Sequence, residues 1–317
     1  ANGIQKNEDG SYKTTKTGDV YEKDEKTQMY RKVGERFNYV YSKEHISFLP
    51  RMFNEDPSVM ENYISMYGAP DFSFNYGNEE VADNPEALQI FDDLRKKYEE
   101  GSIKAADYLQ VKPYNLINVQ RPSLSQNLNY FFTFQNGYYF VRYLMWNFVG
   151  RQNDLEGNME NNRGNWISGI SFIDNAMYGD QSKMPAKFKN ESTVAFFFLP
   201  LLLGLIGFFF QLNRDFGRFY AILSLFIITS VGIIFYTGVK PFEVRERDYA
   251  MVGSFYAFAV WIGLGAGAIL WYIQEKVKSD ALNIVAGLVL LGIPLMMGFQ
   301  NYNVHDRSNR YTAYDYA

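Results

Sequence analysis

Apolar positions fall into two regimes along the chain. Up to about Glu191 they come in short, interrupted groups. Beyond it they continue without a charge through four windows, Ser192–Asn213, Phe219–Val239, Tyr249–Gln274 and Ala281–Val304. A helix needs about 20 mostly apolar residues to cross a hydrocarbon layer of about 30 Å. A charge at the bilayer centre costs about 2.5–3.5 kcal/mol on insertion scales, so charge-free runs of this length are a selected property. The pattern predicts four transmembrane helices at about 192–213, 219–239, 249–274 and 281–300. Pro200 and Pro294 are expected to kink two of them, and Gly263, Gly265 and Gly267 read as close helix-packing positions in the third.

The first 121 residues read as a small extramembrane α+β region. Phe37, Tyr39 and Tyr41 alternate with Arg36, Asn38 and Val40, the period of a strand with one aromatic face. Asp56-Pro57 opens a short capped helix closed by Gly68, and Asn84-Pro85 opens a stronger one. The second helix carries Leu88, Phe91, Leu94 and Tyr98 as its apolar stripe, with Gly101 beyond it.

Residues 122–150 hold one charge, Arg142, among dense aromatics and several amides. Amides are costly in hydrocarbon without partners, whereas Tyr and Trp favour the headgroup zone. The segment therefore predicts two amphipathic helices at the membrane interface, broken near Gly137, with a fifth span as the competing reading. A polar loop follows over 151–166, so that 122–191 forms a connecting region and 301–317 begins a further soluble part.

Composition narrows the class. Hydrophobic residues make up 47% of the 317, which excludes intrinsic disorder. A net charge of −4 offers no basic face for nucleic acid. The chain lacks cysteine, and with it disulfides, thiolate metal sites and thiol nucleophiles. The mean hydropathy of −0.26 averages a polar half with an apolar one and hides the spans. The chain reads as an internal stretch of a larger protein, starting at Ala1 without a signal-peptide pattern and stopping in what looks like a new helix at Tyr314.

An even number of spans puts the N-terminal region, the 238–248 loop and the C-terminal tail on one side of the bilayer. That side gathers the candidate chemistry. The 243–249 stretch carries Arg245 and Arg247 among three carboxylates at the mouth between two spans. Guanidinium forks bind phosphate bidentately, so one reading is recognition of a lipid-linked phosphate; the other is a self-neutralised salt-bridge network. Asp154, Arg163 and Trp166 in the polar loop combine a carboxylate, a cation and a ring, as sugar clefts do. The two histidines, His45 and His305, are too few and too far apart for a His-rich metal site, so no metal ligands are assigned. No motif implies a cofactor, and a divalent-metal requirement is left open.

The runs Arg151-Gln-Asn-Asp154, Arg163-Gly-Asn-Trp-Ile-Ser-Gly169, Phe198–Gly207, Arg245-Glu-Arg-Asp-Tyr-Ala-Met-Val-Gly-Ser-Phe-Tyr-Ala-Phe258 and His305-Asp-Arg-Ser-Asn-Arg-Tyr-Thr-Ala313 together resemble a family of multi-spanning Bacteroidetes membrane proteins formerly of unknown function. That family is similar to the GT-C glycosyltransferases, including protein O-mannosyltransferases. The likeness is close over about 125–317 and loose before it, and Tyr314 stands where the family more often carries a charge. The resemblance implies a GT-C-like helical membrane enzyme of the bacterial inner membrane. Such an enzyme moves sugar from a polyprenyl-phosphate donor to a protein or glycan acceptor on the periplasmic side. Its catalytic carboxylate is expected upstream of Ala1, and the N-terminal region, the 238–248 loop and the tail would then be periplasmic. The expected partners are the lipid bilayer, the polyprenyl-phosphate sugar and a protein acceptor. The alternative is a non-enzymatic scaffold subunit of a secretion or motility complex in the cell envelope, with partner proteins in that complex.

Overall fold

The computed structural model describes residues 4–41, 52, 56–75, 84–111, 117–243 and 247–308. It divides into two compact units, Ala1–Arg51 and Met52–Ala317.

The first unit is a hairpin of β1 (Thr14–Lys23) and antiparallel β2 (Tyr30–Tyr39). The aromatic strand read at 37–41 is therefore the end of a longer one. At the turn, Asp24 accepts the backbone N–H groups of Lys26 and Thr27. On one face Lys16 and Lys32 each pair with both Asp19 and Glu35. Those lysine contacts hold the Asp19 and Glu35 carboxyls below their ordinary range.

The second unit begins with α1 (Pro57–Tyr67), capped by Asp56, whose side chain accepts from Ser58 N–H. A short strand β3 (Phe72–Phe74) follows, then α2 (Pro85–Glu99), capped by Asn84, and α3 (Ala105–Val111). Strand β4 (Ile117–Val119) pairs antiparallel with β3. Leu94, Ile103, Tyr108 and Val111 form the small core beneath these elements. The two helices expected here start at the expected caps.

Residues 124–148 depart from expectation. They form one unbroken helix, α4, opened by a capping box at Ser123 and Gln126. Its middle, Phe131–Val141, is wound in wider π-type turns, and Gly137 lies inside that stretch without breaking it. Such turns are rare beyond a single one. Here they fan Phe131, Phe134, Tyr139 and Phe140 into the core.

After a two-residue strand β5 (Gly150–Arg151) come the polar loop, α5 (Ser171–Tyr178) and β6 (Val194–Ala195), which pairs with β5. Helix α6 (Leu199–Arg214) is followed by α7 (Phe216–Thr237), α8 (Asp248–Val277) and α9 (Asp280–His305). The last three are long and apolar enough to cross a membrane. The first is not, because residues 192–198 are spent on a turn, on β6 and on two left-handed residues, Phe197 and Phe198. Its 16 residues give about 24 Å of helix, short of the hydrocarbon thickness. Pro200 sits in its first turn, where the missing N–H has no partner to lose, so the expected kink does not arise.

The four helices alternate in direction. Gly204 meets Phe258, and Gly207 meets Trp261 and Gly265, so α6 and α8 run parallel. Phe226 against Phe258 and Thr229 against Gly253 make α7 antiparallel to α8. Leu270 against Gly287 and Gln274 against Asn283 do the same for α9. The α6–α8 seam is the tightest in the molecule: a Cβ on Gly207 would lie 1.8 Å from the Trp261 carbonyl, and one on Gly265 would lie 1.9 Å from that of Leu203. Gly263 and Gly267, expected to pack as well, face open space. The spacing places them on the other side of the helix from Gly265.

Candidate functional site

Helix α4 is the post on which the two marked polar segments hang. It lies antiparallel along α7, with Phe131 near Phe235 and Phe140 near Phe226. The Val239 carbonyl accepts from the Tyr130 hydroxyl and from Gln135 Nε2, the latter at 2.9 Å, which ties the end of α7 to α4. One turn on, the Tyr139 hydroxyl accepts the Arg247 backbone N–H at 2.7 Å. The Tyr138 hydroxyl donates to the Gly157 carbonyl at 2.5 Å and accepts the Met159 N–H at 3.3 Å. Arg142 then reaches into the polar loop, donating from Nη1 to the Gly164 carbonyl at 2.8 Å. Gly164 has φ +61, and a Cβ there would stand 2.7 Å from the Leu155 carbonyl and 3.1 Å from that guanidinium, so only glycine fits. Arg142 is buried, and its guanidinium lies 4.3 Å and 4.6 Å from the ring centroids of Tyr138 and Tyr143.

These attachments bring the polar loop and the 238–248 loop to one open cleft of about 660 Å³. Asn158 and Met159 line it from the polar loop, Phe242 from the other, Asn129 and Thr133 from α4, and Asn62 and Tyr67 from α1. The Thr133 hydroxyl donates to the Asn129 carbonyl and accepts from the Tyr67 hydroxyl at 2.8 Å. Burial raises the Tyr67 pKa, and the bond to Thr133 opposes it. Met159 and Phe242 both hold left-handed backbone, φ +66 and +52, a strained state that clusters at binding sites. Asn129 and Asn158 both line the cleft, and their side-chain amides have no partner among the described residues.

Arg245 lies outside the described residues. Arg247 is exposed, and its guanidinium stands 3.7 Å from Glu243, in keeping with partial neutralisation inside the loop. Asp154 accepts from Asn190 Nδ2 at 2.6 Å. Arg163 pairs with Glu160 at 3.6 Å and lies over the Phe188 ring. Trp166 packs edge-on against Tyr178 and Phe198. None of these three lines the 660 Å³ cleft. Among the described residues no group of three or more His, Asp or Glu is placed to hold a metal ion.

Two neighbours of Asp154 do more structural work than it does. Asn153 is fully buried; its Nδ2 donates to the Asn162 and Phe188 carbonyls, and its Oδ1 accepts the Gly164 N–H at 2.8 Å. Buried Gln152 donates to the Asn161 carbonyl and to Gln181, and accepts from Asn165. The carboxylate of Asp174, also buried, accepts from Ser168 N–H, Ser168 Oγ and Gly169 N–H. Adjacent amides beside a Gly-rich loop are the signal for such a knot, because a buried amide is tolerated only when its donors and acceptor are filled.

A family of unknown function, DUF8416, matches residues 2–132. No curated protein matches the chain. No solved structure matches it either. The matched stretch covers the hairpin, the small α+β layer and the start of α4, and it names no activity.

Proposed function

We propose that this chain is the cleft-forming part of a membrane glycosyltransferase. It would take sugar from a polyprenyl-phosphate donor and deliver it to a protein or glycan acceptor on the periplasmic side of a bacterial inner membrane. What carries the reading is a cleft walled by both sequence-marked loops, lined by amide and aromatic residues, with Arg247 in the same loop as the lining residue Phe242. Amides of Asn129 and Asn158 suit sugar hydroxyls, Tyr67 and Phe242 offer ring faces, and Arg247 with Arg245 would steady the departing phosphate through charge-assisted bonds. Asp154, Arg163 and Trp166 shape the loop that presents Asn158. The carboxylate acting as base towards the acceptor hydroxyl is expected from outside these residues.

The test is sugar transfer by the full-length protein in vesicles, with labelled polyprenyl-phosphate sugar and a peptide acceptor. Asn129→Leu combined with Asn158→Leu, and separately Arg245→Glu with Arg247→Glu, should each lower transfer at least tenfold without lowering the melting temperature. Full transfer in both would sink the reading. The scaffold reading draws on a specific observation, the absorption of Asp154, Arg163 and Trp166 into contacts within their own part of the chain. Loss of complex assembly in the charge-reversal variant with transfer intact would favour it.

A further inference from the structure

Two turns beyond Tyr139 on the same helix, Trp146 carries a second cation. The Arg142 guanidinium lies 5.3 Å from its ring centroid and the Arg151 guanidinium 5.5 Å. Arg151, the second residue of β5, is partly buried and reaches the last turns of α9. Its Nε donates to the Ser192 carbonyl at 2.8 Å and its Nη2 to Asn301 Oδ1 at 3.4 Å, both neutral acceptors. Its Nη1 has no acceptor among the described residues, and no carboxylate there lies within ion-pair distance of it. Burial pushes the Arg151 pKa down, and only the more distant charge of Asp154 opposes this. Beside it, the Trp146 Nε1–H is buried without an acceptor.

A desolvated cation without a counter-ion and an unfilled N–H donor each cost free energy, and one anion satisfies both. We propose that Arg151 and Trp146 form a phosphate-binding site, with the free edge of the guanidinium and the indole N–H donating to the anion's oxygens. Asn301 lies in the last turns of an apolar helix long enough to span a membrane, so the site is at a level a lipid headgroup reaches. It is separate from Arg247, which sits two turns back along α4. The choice of phosphate as the anion rests on the transferase reading; the existence of the site does not.

The test uses the full-length protein in nanodiscs, titrated with inorganic phosphate in one arm and carrying polyprenyl phosphate in the disc in the other. Trp146→Phe keeps the ring and removes only the donor; it should weaken phosphate binding about fivefold or more at unchanged melting temperature. Arg151→Lys, which keeps charge but not the fork, should weaken it further, and Arg151→Gln should abolish it, whereas Lys183→Gln, in an exposed turn that belongs to neither arginine site, should leave this binding unchanged. Binding of the lipid alone identifies the headgroup as the source, and binding in both arms identifies phosphate itself; either supports the site. Binding in neither arm, or equal binding by the parent and by Trp146→Phe and Arg151→Gln, overturns it. Sugar transfer is read in parallel. A parent that binds phosphate but transfers nothing leaves the site standing and removes the transferase reading. Transfer with variant-insensitive binding does the reverse.

Discussion

Helices α6 and α9 are both apolar, yet the molecule uses them in opposite ways. Pro200, Leu203, Gly204, Gly207 and Gln211 of α6 are buried, mostly against α8, while no residue of α9 is buried. Apolarity does not separate them, since lipid tails solvate Leu as well as another helix does. Close approach and polar hooks do. Gly207 and Gly265 let two backbones touch, and Trp261 Nε1–H donates to Gln211 Oε1 at 2.8 Å across the seam. Helix α9 has glycines too, at 287, 292 and 298, but a Cβ at 292 or 298 would meet nothing within 4 Å, and one at 287 would only reach ordinary contact with Leu270.

The comparison breaks most easily at the glycines. Gly265→Ala or Gly207→Ala forces the backbones apart and should cost about 2 kcal/mol or more, read as a fall in the melting temperature of the purified protein. Gly263→Ala, one residue pair away in the same helix, should be neutral or slightly stabilising, because its Cβ enters open space and alanine favours helix. Equal losses at 263 and 265 would refute the close-seam account. Gln211→Leu leaves the buried Trp261 N–H without an acceptor and should cost about 1–3 kcal/mol. Conversely, Phe299→Ala and Val289→Ala on the outward face of α9, where both side chains are exposed, should stay within about 0.5 kcal/mol.

The smallest effect lies outside the helices. Burial pushes the Asp107 carboxyl up, but the hydrogen bonds from Lys97 at 2.8 Å and from the Lys104 N–H outweigh it and leave its pKa lowered. A carboxyl whose folded value lies below its unfolded value of about 3.9 stabilises the fold above that pH. The contribution fades as the pH drops through the lowered value. Asp107→Asn should therefore lower the neutral plateau, by a small amount because Lys97 stays partly exposed, and the variant and the parent should converge as the pH falls below about 4. A loss as large in acid as at neutral pH would contradict this.

How much was legible follows the range of the forces involved. The caps at Asp56 and Asn84 and the ends of α8 and α9 follow from neighbours within a few residues, and those elements lie where the sequence places them. Gly137 was misleading because glycine breaks a helix by local propensity, whereas here wide turns and the packing of Phe134 and Phe140 carry the helix through. The expected sugar residues were chosen by type. Their neighbours Gln152 and Asn153 turned out to be the buried knot, and Asn129 and Asn158 the open amides, which depends on which side of β5 and α4 each one faces.

The sequence by itself determined where long apolar helices lie, because transfer out of water is additive over consecutive residues and needs no knowledge of the fold. Only the tertiary structure decided that 192–198 leave the helix, that Gly265 but not Gly263 touches a neighbour, and that α4 gathers two distant loops around one cleft. Those outcomes depend on contacts between residues tens to more than a hundred positions apart, and the local pattern of a chain carries no record of them.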